Sequence, residues 1–268
     1  MFNTLDNLLN RVTMYRLVIY VLIGLVAWGV VLGFVGRVSF SGWSLIGSTL
    51  GFVAGTWLVN TLLAWGFSAP AHNPSAYITG LILALIVTPV RRPEDVVGYA
   101  WIIAIAMSSK YILAIHRQHL FNPAAFSVAL TAVTVGTSAS WWVGNVWMLP
   151  LTLVVGFLIV RKLRRWDAVL SFLGAAMLTT TILTLWQQAP VLATWKVLLT
   201  NAPLFFFASV MLTEPATMPP TRRWRVVYGV LIGLLGTPLW HIGSWYMTPE
   251  VSLLVGNVTL YFLTRRER

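Results

Sequence analysis

Residues 206–217 read FFASVMLTEPAT, an apolar run that stops on Glu214 and Pro215. A charged side chain at the centre of a membrane helix costs roughly 2.5–3.5 kcal/mol on insertion scales, so Glu214 is expected to face a protein-lined cavity and to hold a partner or ligand. The plainer reading sets it at the level of the lipid headgroups. The proline behind it decides the architecture, because it lacks an N–H and disfavours helix in the residue before it. Residues 77–88, YITGLILALIVT, end in the same way on Thr88-Pro89. Twelve helical residues there reach about 18 Å, short of a hydrocarbon core of about 30 Å. Both segments therefore read as broken helices, and irregular backbone at that depth is tolerated only around a cavity or inside protein.

Composition sets the class. The chain is 58% hydrophobic and 9% charged, with a mean hydropathy of +0.80, which excludes a water-soluble domain and predicts an all-α polytopic membrane protein. A full span needs roughly 17–25 apolar residues. Ten apolar segments are separated by charges, prolines or polar clusters: 17–36, 45–67, 77–88, 97–115, 124–136, 143–160, 168–186, 197–212, 226–240 and 251–264. Residues 1–16 are polar and weakly amphipathic, and no small-residue cleavage site follows the first apolar run, so no removable signal peptide is expected.

Ten spans put both termini on one side, and the basic residues choose it, because short cytoplasmic loops carry the Lys/Arg excess. With the ends inside, the inner side collects Arg11, Arg16, Lys110, Arg117, Arg161, Lys162, Arg164, Arg165, Arg222, Arg223, Arg225, Arg265, Arg266 and Arg268, fourteen of the eighteen basic residues. The outer side keeps Arg37, Arg91, Arg92 and Lys196. The net charge of +11 is thus mostly topology. Anionic lipid headgroups are the expected partners of these loops, and nucleic acid is not, since no segment can build a basic soluble face.

An internal repeat organises the chain. A shift of 126 residues lays 17–36 on 143–160 and 45–67 on 168–186, and carries Pro89, Pro93 and Pro123 onto Pro215, Pro219 and Pro249. The units are 17–136 and 143–264, flanked by a cytoplasmic segment 1–16 and a basic tail 265–268. An odd number of spans per unit turns the second upside down, the plan of many transport folds, whose sites lie at short or Pro-interrupted segments in matching positions. Glu214 and the Asn122-Pro123 step then fall on the same cytoplasmic side. Asn122 can cap the helix that Pro123 opens, or turn that helix end toward an anion. Lys110 can pair with Glu214, or snorkel to water as the simpler reading has it.

Other residues read more simply. Zero cysteines exclude thiolate-held iron–sulfur clusters. The tryptophans at segment ends, Trp43, Trp141, Trp142, Trp186, Trp195, Trp224, Trp240 and Trp245, read as interfacial anchors. Glu94 and Asp95 neutralise Arg91 and Arg92, and Glu250 suits the helix start after Pro249. Gly229, Gly233 and Gly236 read as close helix packing. Haem b would need two facing imidazoles, which His72, His116, His119 and His241 are badly placed to give. No Gly-rich nucleotide loop is present, so a nicotinamide cofactor would be handled by another chain.

Residues 121–124, Phe-Asn-Pro-Ala, after a Lys110-bearing segment, and residues 213–217, Thr-Glu-Pro-Ala-Thr, before a Gly-bearing one, resemble the family of the membrane subunits RnfD and NqrB. These belong to Rnf-type electron-transport complexes and the sodium-pumping NADH:quinone reductase. The resemblance implies a urea-transporter-like fold of ten spans arranged as five plus five inverted. It implies a redox subunit of an oxidoreductase complex in the inner membrane, with flavin (riboflavin or FMN) contacts at Asn122 and Glu214, and also at Thr213, Pro123 and Thr217. Lys110 joins them as the nearby cation. In the family the acidic position is Asp, and many members carry a Ser-Gly-Ala-Thr-like outer motif that takes FMN covalently. Residues 136–142 here read GTSASWW, so the flavin is expected to be non-covalent. The implied partner is a cytoplasmic flavin or iron–sulfur reductase subunit. The rival class is a channel or secondary transporter of a small, urea-like solute.

Overall fold

A computed structural model describes residues 2–115, 118–201, 203–237, 240–242 and 245–264. His116, Arg117, Trp245's side chain and the basic tail 265–268 lie outside the described residues. Among the described residues the secondary structure is helical apart from two short two-stranded ribbons and an isolated bridge between Val87 and Ala139. α1 is Phe2–Arg11, α2 Met14–Phe34, α3 Gly42–Gly66, α4 Asn73–Ile86, α5 Asp95–Ile112 and α6 Pro123–Thr134. The second half contains α7 Leu149–Leu163, α8 Trp166–Trp186, α9 Val191–Thr200, α10 Leu204–Phe206, α11 Arg222–Leu235 and α12 Pro249–Thr264. Among the described residues three helices, α2, α3 and α8, are long and apolar enough to cross a membrane, and shorter apolar helices accompany them. This agrees with an all-α membrane protein.

Local chemistry explains the starts. The Thr13 and Ser41 hydroxyls accept from the N–H groups of Arg16 and Ser44, satisfying donors that the first turns of α2 and α3 leave open. Asn122 does the same for α6, its Oδ1 taking the Ala125 N–H at 3.0 Å, with Pro123 in the first helical position. Gly36, at φ +72°, turns the chain just beyond α2, where a Cβ would be strained.

Each of the ten apolar segments contains a helix, with two boundaries moved. The sixth starts at Leu149 rather than at residue 143, because Trp142–Gly144 close a 3₁₀ turn first. The eighth is in two pieces: α9 runs to Thr200, and α10 restarts after Pro203 at 58° to it, continuing as a π-helical turn Phe207–Met211.

The short α4 is the centre of the bundle. Every residue from Thr79 to Ile86 is buried, with α2, α3, α5 and α6 packed around it. A helix apolar on all sides belongs in a protein interior, whereas α2 and α3 expose Tyr20, Val31, Leu58 and Leu62 on their outer faces. The pairing within the two halves is parallel: α3 packs on α5 and α5 on α6, while α8 packs on α11 and α11 on α12. Pro123 and Pro249, 126 residues apart, open α6 and α12, which pack on each other.

Cross-links sort the loops into two ends. At one, Arg161 binds Asp6 at 2.8 Å, Lys162 donates to Leu9 O at 2.7 Å, and Arg225 binds Asp167 at 2.7 Å. At the other, Arg91 reaches Ser39 O at 3.1 Å, Arg37 lies 4.6 Å over the Trp147 ring, and Trp28 donates to Trp147 O. Loops assigned to one side from their charges are thus tied to one another.

Candidate functional site

The proline-broken segment ends in a cleft of about 80 Å³. Met14, Tyr15 and Val18 of α2 and Ser75, Ile78 and Thr79 of α4 form two walls. His119, Asn122 and Pro123 supply a third, and Thr213, Glu214 and Pro215 the fourth. Asn122, Pro123, Thr213 and Glu214, from both halves of the sequence, therefore line one space. Lys110 and Thr217 stand behind the wall.

Glu214 follows the π turn, where Leu212 N–H bonds five residues back to Phe207 O at 2.9 Å. A π turn inside a helix is frequent at functional sites, and here the wide turn and Pro215 end the helix at the carboxylate. The Glu214 carbonyl takes the N–H groups of Thr217 and Met218, so the break leaves that group satisfied. The carboxylate interacts with Asn122, with Thr217 and with the charge of Lys110. Its Oε2, however, is buried with no hydrogen-bond partner. An unsatisfied buried acceptor costs about 1–3 kcal/mol or more, and that cost marks a place for a donor.

Asn122 is 2% exposed. With Oδ1 committed to the helix cap, its Nδ2 is the remaining donor. The Thr213 hydroxyl is turned inward onto Ser209 O, and Thr217 Oγ1 lies 3.5 Å from Glu214 O. Neither hydroxyl is offered to the cleft. Thr217 acts from behind.

The structure corrects the snorkelling of Lys110. It is 8% exposed, and its Nζ donates to Ser75 O and Ser75 Oγ, each at 3.0 Å. Ser75, in the first turn of α4, holds it with two acceptors, its carbonyl and its hydroxyl oxygen. Among the described residues Lys110 forms no ion pair within 4 Å, so its charge reaches Glu214 across a gap.

Sequence reasoning missed Ser75, Tyr15 and His119 as lining residues. Asn73-Pro74 repeats the Asn-Pro step that drew attention to Asn122, and was the available signal for Ser75. His119 was weighed only as a haem ligand. It lies in the α5–α6 connection with Nδ1 buried and unpartnered, and burial, then the nearby charge of Lys110, pushes its imidazole down to about 4.

At the opposite end Glu250 sits in the first turn of α12, as expected for a helix start, and is also buried, 4% exposed and accepting from Trp141 Nε1 at 3.1 Å. Trp142 is buried, with Nε1 on Ala84 O at 2.9 Å, and is no interfacial anchor. Asp95 meets Arg91 and Arg92 through their backbone N–H groups, at 2.8 and 3.0 Å. These contacts have a common effect. Ser140 N–H and Trp141 N–H both donate to Ile86 O, at 2.7 and 2.9 Å, so residues 140–142 close over the end of α4 left open by Pro89.

Comparison with known proteins matches residues 141–267 to the model of the NQR2, RnfD, RnfE family. The D-type subunit of the ion-translocating oxidoreductase complex of Escherichia coli O1:K1 / APEC is 32% identical over 125 residues, 45% of this chain and 31% of that protein. The proteins of the same description from Escherichia coli O45:K1 (strain S88 / ExPEC) and O17:K52:H18 (strain UMN026 / ExPEC) are 32% and 31% identical over the same shares. The chain spans about a third of the length of these relatives. Glu214 lies inside the matched region, and Asn122 and Lys110 outside it.

Proposed function

We propose that this chain, homologous through residues 141–267 to the NQR2, RnfD, RnfE family, is a membrane subunit of an electron-transport complex that binds a flavin non-covalently. The observation that carries the reading is the orphaned Glu214 Oε2 in a cleft it shares with Asn122. The pyrimidine edge of riboflavin or FMN offers an imide N–H between two carbonyls. A carboxylate acceptor beside an amide donor suits that edge, so the residues present fit the group. Glu214 would take the imide proton and Asn122 Nδ2 a carbonyl, while Ile78, Ile82 and Val210 supply apolar walls. A bound flavin supplies the chemistry of taking electrons singly or in pairs and passing them on. The chain's own part is to orient the ring, to exclude water with those walls, and to hold Lys110 as a buried compensating charge. Non-covalent attachment is supported by residues 136–142, which lack the Ala-Thr pair of the outer motif.

The wider architecture belongs to the same proposal. Ten membrane segments in two inverted sets of five are supported by the shift of 126 residues and by the parallel pairing of α3, α5, α6 with α8, α11, α12. Cytoplasmic termini in the inner membrane are supported by the basic residues on the end of the bundle that carries the cleft. That end would receive a cytoplasmic flavin or iron–sulfur reductase subunit, with anionic lipids around the rim.

The test is purification in mild detergent followed by a visible spectrum. A flavin band that survives washing, and is lost in Glu214→Ala/Asn122→Ala, is the expected result. Colourless protein that binds no added riboflavin and conducts urea into liposomes would replace this reading with solute transport.

A further inference from the structure

Behind the cleft wall, a buried polar chain leads away from Asn122. The Asn122 N–H donates to Asn257 Oδ1 at 3.2 Å, and Asn257 Nδ2 donates to the Tyr228 hydroxyl at 2.6 Å. Asn257 lies mid-way along α12 and is 2% exposed; Tyr228 lies on α11 and is fully buried. A backbone N–H can only donate, so the atom facing it is the amide oxygen, and Nδ2 is then turned to Tyr228. The neighbouring packing is arranged for this reach. A Cβ on Gly256 would meet the Ile232 side chain at 2.6 Å and the Tyr228 ring at 3.2 Å, so its absence lets α12 come close to α11. On the other face of α11, a Cβ on Gly229 would lie 2.4 Å from Ala168 O, which fixes α11 against α8.

Asn122 is the residue that needs such support. It has to leave helical geometry to cap α6, with φ −61° and ψ 119°, while its side chain also meets the Glu214 carboxylate. Its cap bond fixes Oδ1, and the bond to Asn257 fixes its N–H, so both ends of the residue are held. An amide in the middle of an apolar helix is costly without partners. Asn257 has both: its oxygen holds the first half of the chain, and its nitrogen is held by the second.

We infer that Asn257 and Tyr228 are positioning residues, a buried bridge from α11 and α12 that fixes Asn122 for ligand binding in the cleft. The inference deepens the flavin reading, yet its geometric half stands without it. Two measurements in detergent separate them: amide hydrogen exchange at Asn122, with Phe126 as the control because its N–H bonds Asn122 O at 2.9 Å, and riboflavin binding by fluorescence quenching. Asn257→Leu is expected to speed exchange at Asn122 by about 10-fold with Phe126 unchanged, and to weaken riboflavin binding by about 10-fold. Asn257→Asp, which keeps the acceptor, restores protection. Tyr228→Phe acts in the same direction by about 3-fold, and decides the matter if Asn257→Leu does not fold.

Unchanged exchange at Asn122 in the folded variants overturns the bridge, whatever riboflavin does. Wild-type affinity in Asn257→Leu overturns its role in binding. Faster exchange in a protein that never binds riboflavin leaves the bridge standing and removes the flavin reading alone.

Discussion

Arg225 grips Asp167 through Nε at 2.8 Å and Nη2 at 2.7 Å, joining the first turn of α11 to the first turn of α8. Nη1 of the same guanidinium donates to Pro220 O, so one side chain ties a connecting loop to two helix starts. The side chains are 13% and 10% exposed. Breaking a buried pair by removing one partner costs about 3–5 kcal/mol, because the other charge is left behind. With one edge wet, Asp167→Asn should lower stability by about 2–3 kcal/mol, and Asp167→Asn/Arg225→Met should recover part of it. The Asp6–Arg161 pair, with side chains 46% and 22% exposed, sets the scale: Asp6→Asn should cost under about 1 kcal/mol. Tryptophan-fluorescence melting in detergent measures all three.

Glu214 and Thr217 are neighbours in the same motif but should respond differently. Glu214→Ala removes the acceptor whose second oxygen is unpartnered, and a bond to a charged group contributes about 1.5–3 kcal/mol, so riboflavin affinity should fall about 10- to 100-fold. Thr217→Val deletes a hydroxyl that stands behind the cleft, 3.5 Å from the Glu214 carbonyl and beside its carboxylate, and, not lining the cleft itself, should stay within about 3-fold. Titration of riboflavin fluorescence separates the two.

How much of this was legible in the residues follows from what each signal depends on. Proline chemistry is local, so the breaks at Pro89 and Pro215 and the cap at Asn122 were readable from sequence. Hydropathy counts apolar residues, so each apolar segment it marked holds a helix, but it could not tell the buried α4 from α2 and α3, which expose apolar side chains. That difference lies in what surrounds them. Lys110 shows the same limit: a lysine near a helix end snorkels unless a partner is closer than water, and Ser75, 35 residues away, is that partner. Trp142 was misread for the same reason, since long-range packing of residues 140–142 onto α4 buries it.

His119 should give the protein an acid-sensitive arm. Its imidazole is held at about 4 in the folded chain, against 6.5 ordinarily, so between those values the unfolded chain binds a proton that the folded one does not. Stability is then fully present above about pH 6.5 and falls as pH drops toward 4, by at most about 1.4 kcal/mol per unit, less with partial solvation. His119→Phe should flatten that part of the profile. Melting temperatures at pH 7.5 and pH 5 check it, and equal acid losses in the two proteins would remove His119 as the cause.

The contact of α8 with α11 carries Tyr228 and closes on Gly229. A Cβ on Gly229 would come within 2.2 Å of Ser171 Oγ, 2.4 Å of Ala168 O and 3.0 Å of Phe172 N. The hydroxyl can rotate; the backbone of α8 cannot, without moving the helix. Gly229→Ala should therefore destabilise by about 1–3 kcal/mol, the range for overpacking, and the displaced α11 should loosen Asn257 and speed exchange at Asn122. Gly174 on α8 faces open space, with nothing within 4 Å of an added Cβ. Gly174→Ala should leave stability the same or raise it by a few tenths up to about 1 kcal/mol, since alanine restricts the unfolded chain more than glycine does. The same residue change on two packed helices thus separates steric cost from helix propensity, and a melt of each variant beside the wild type reads the difference.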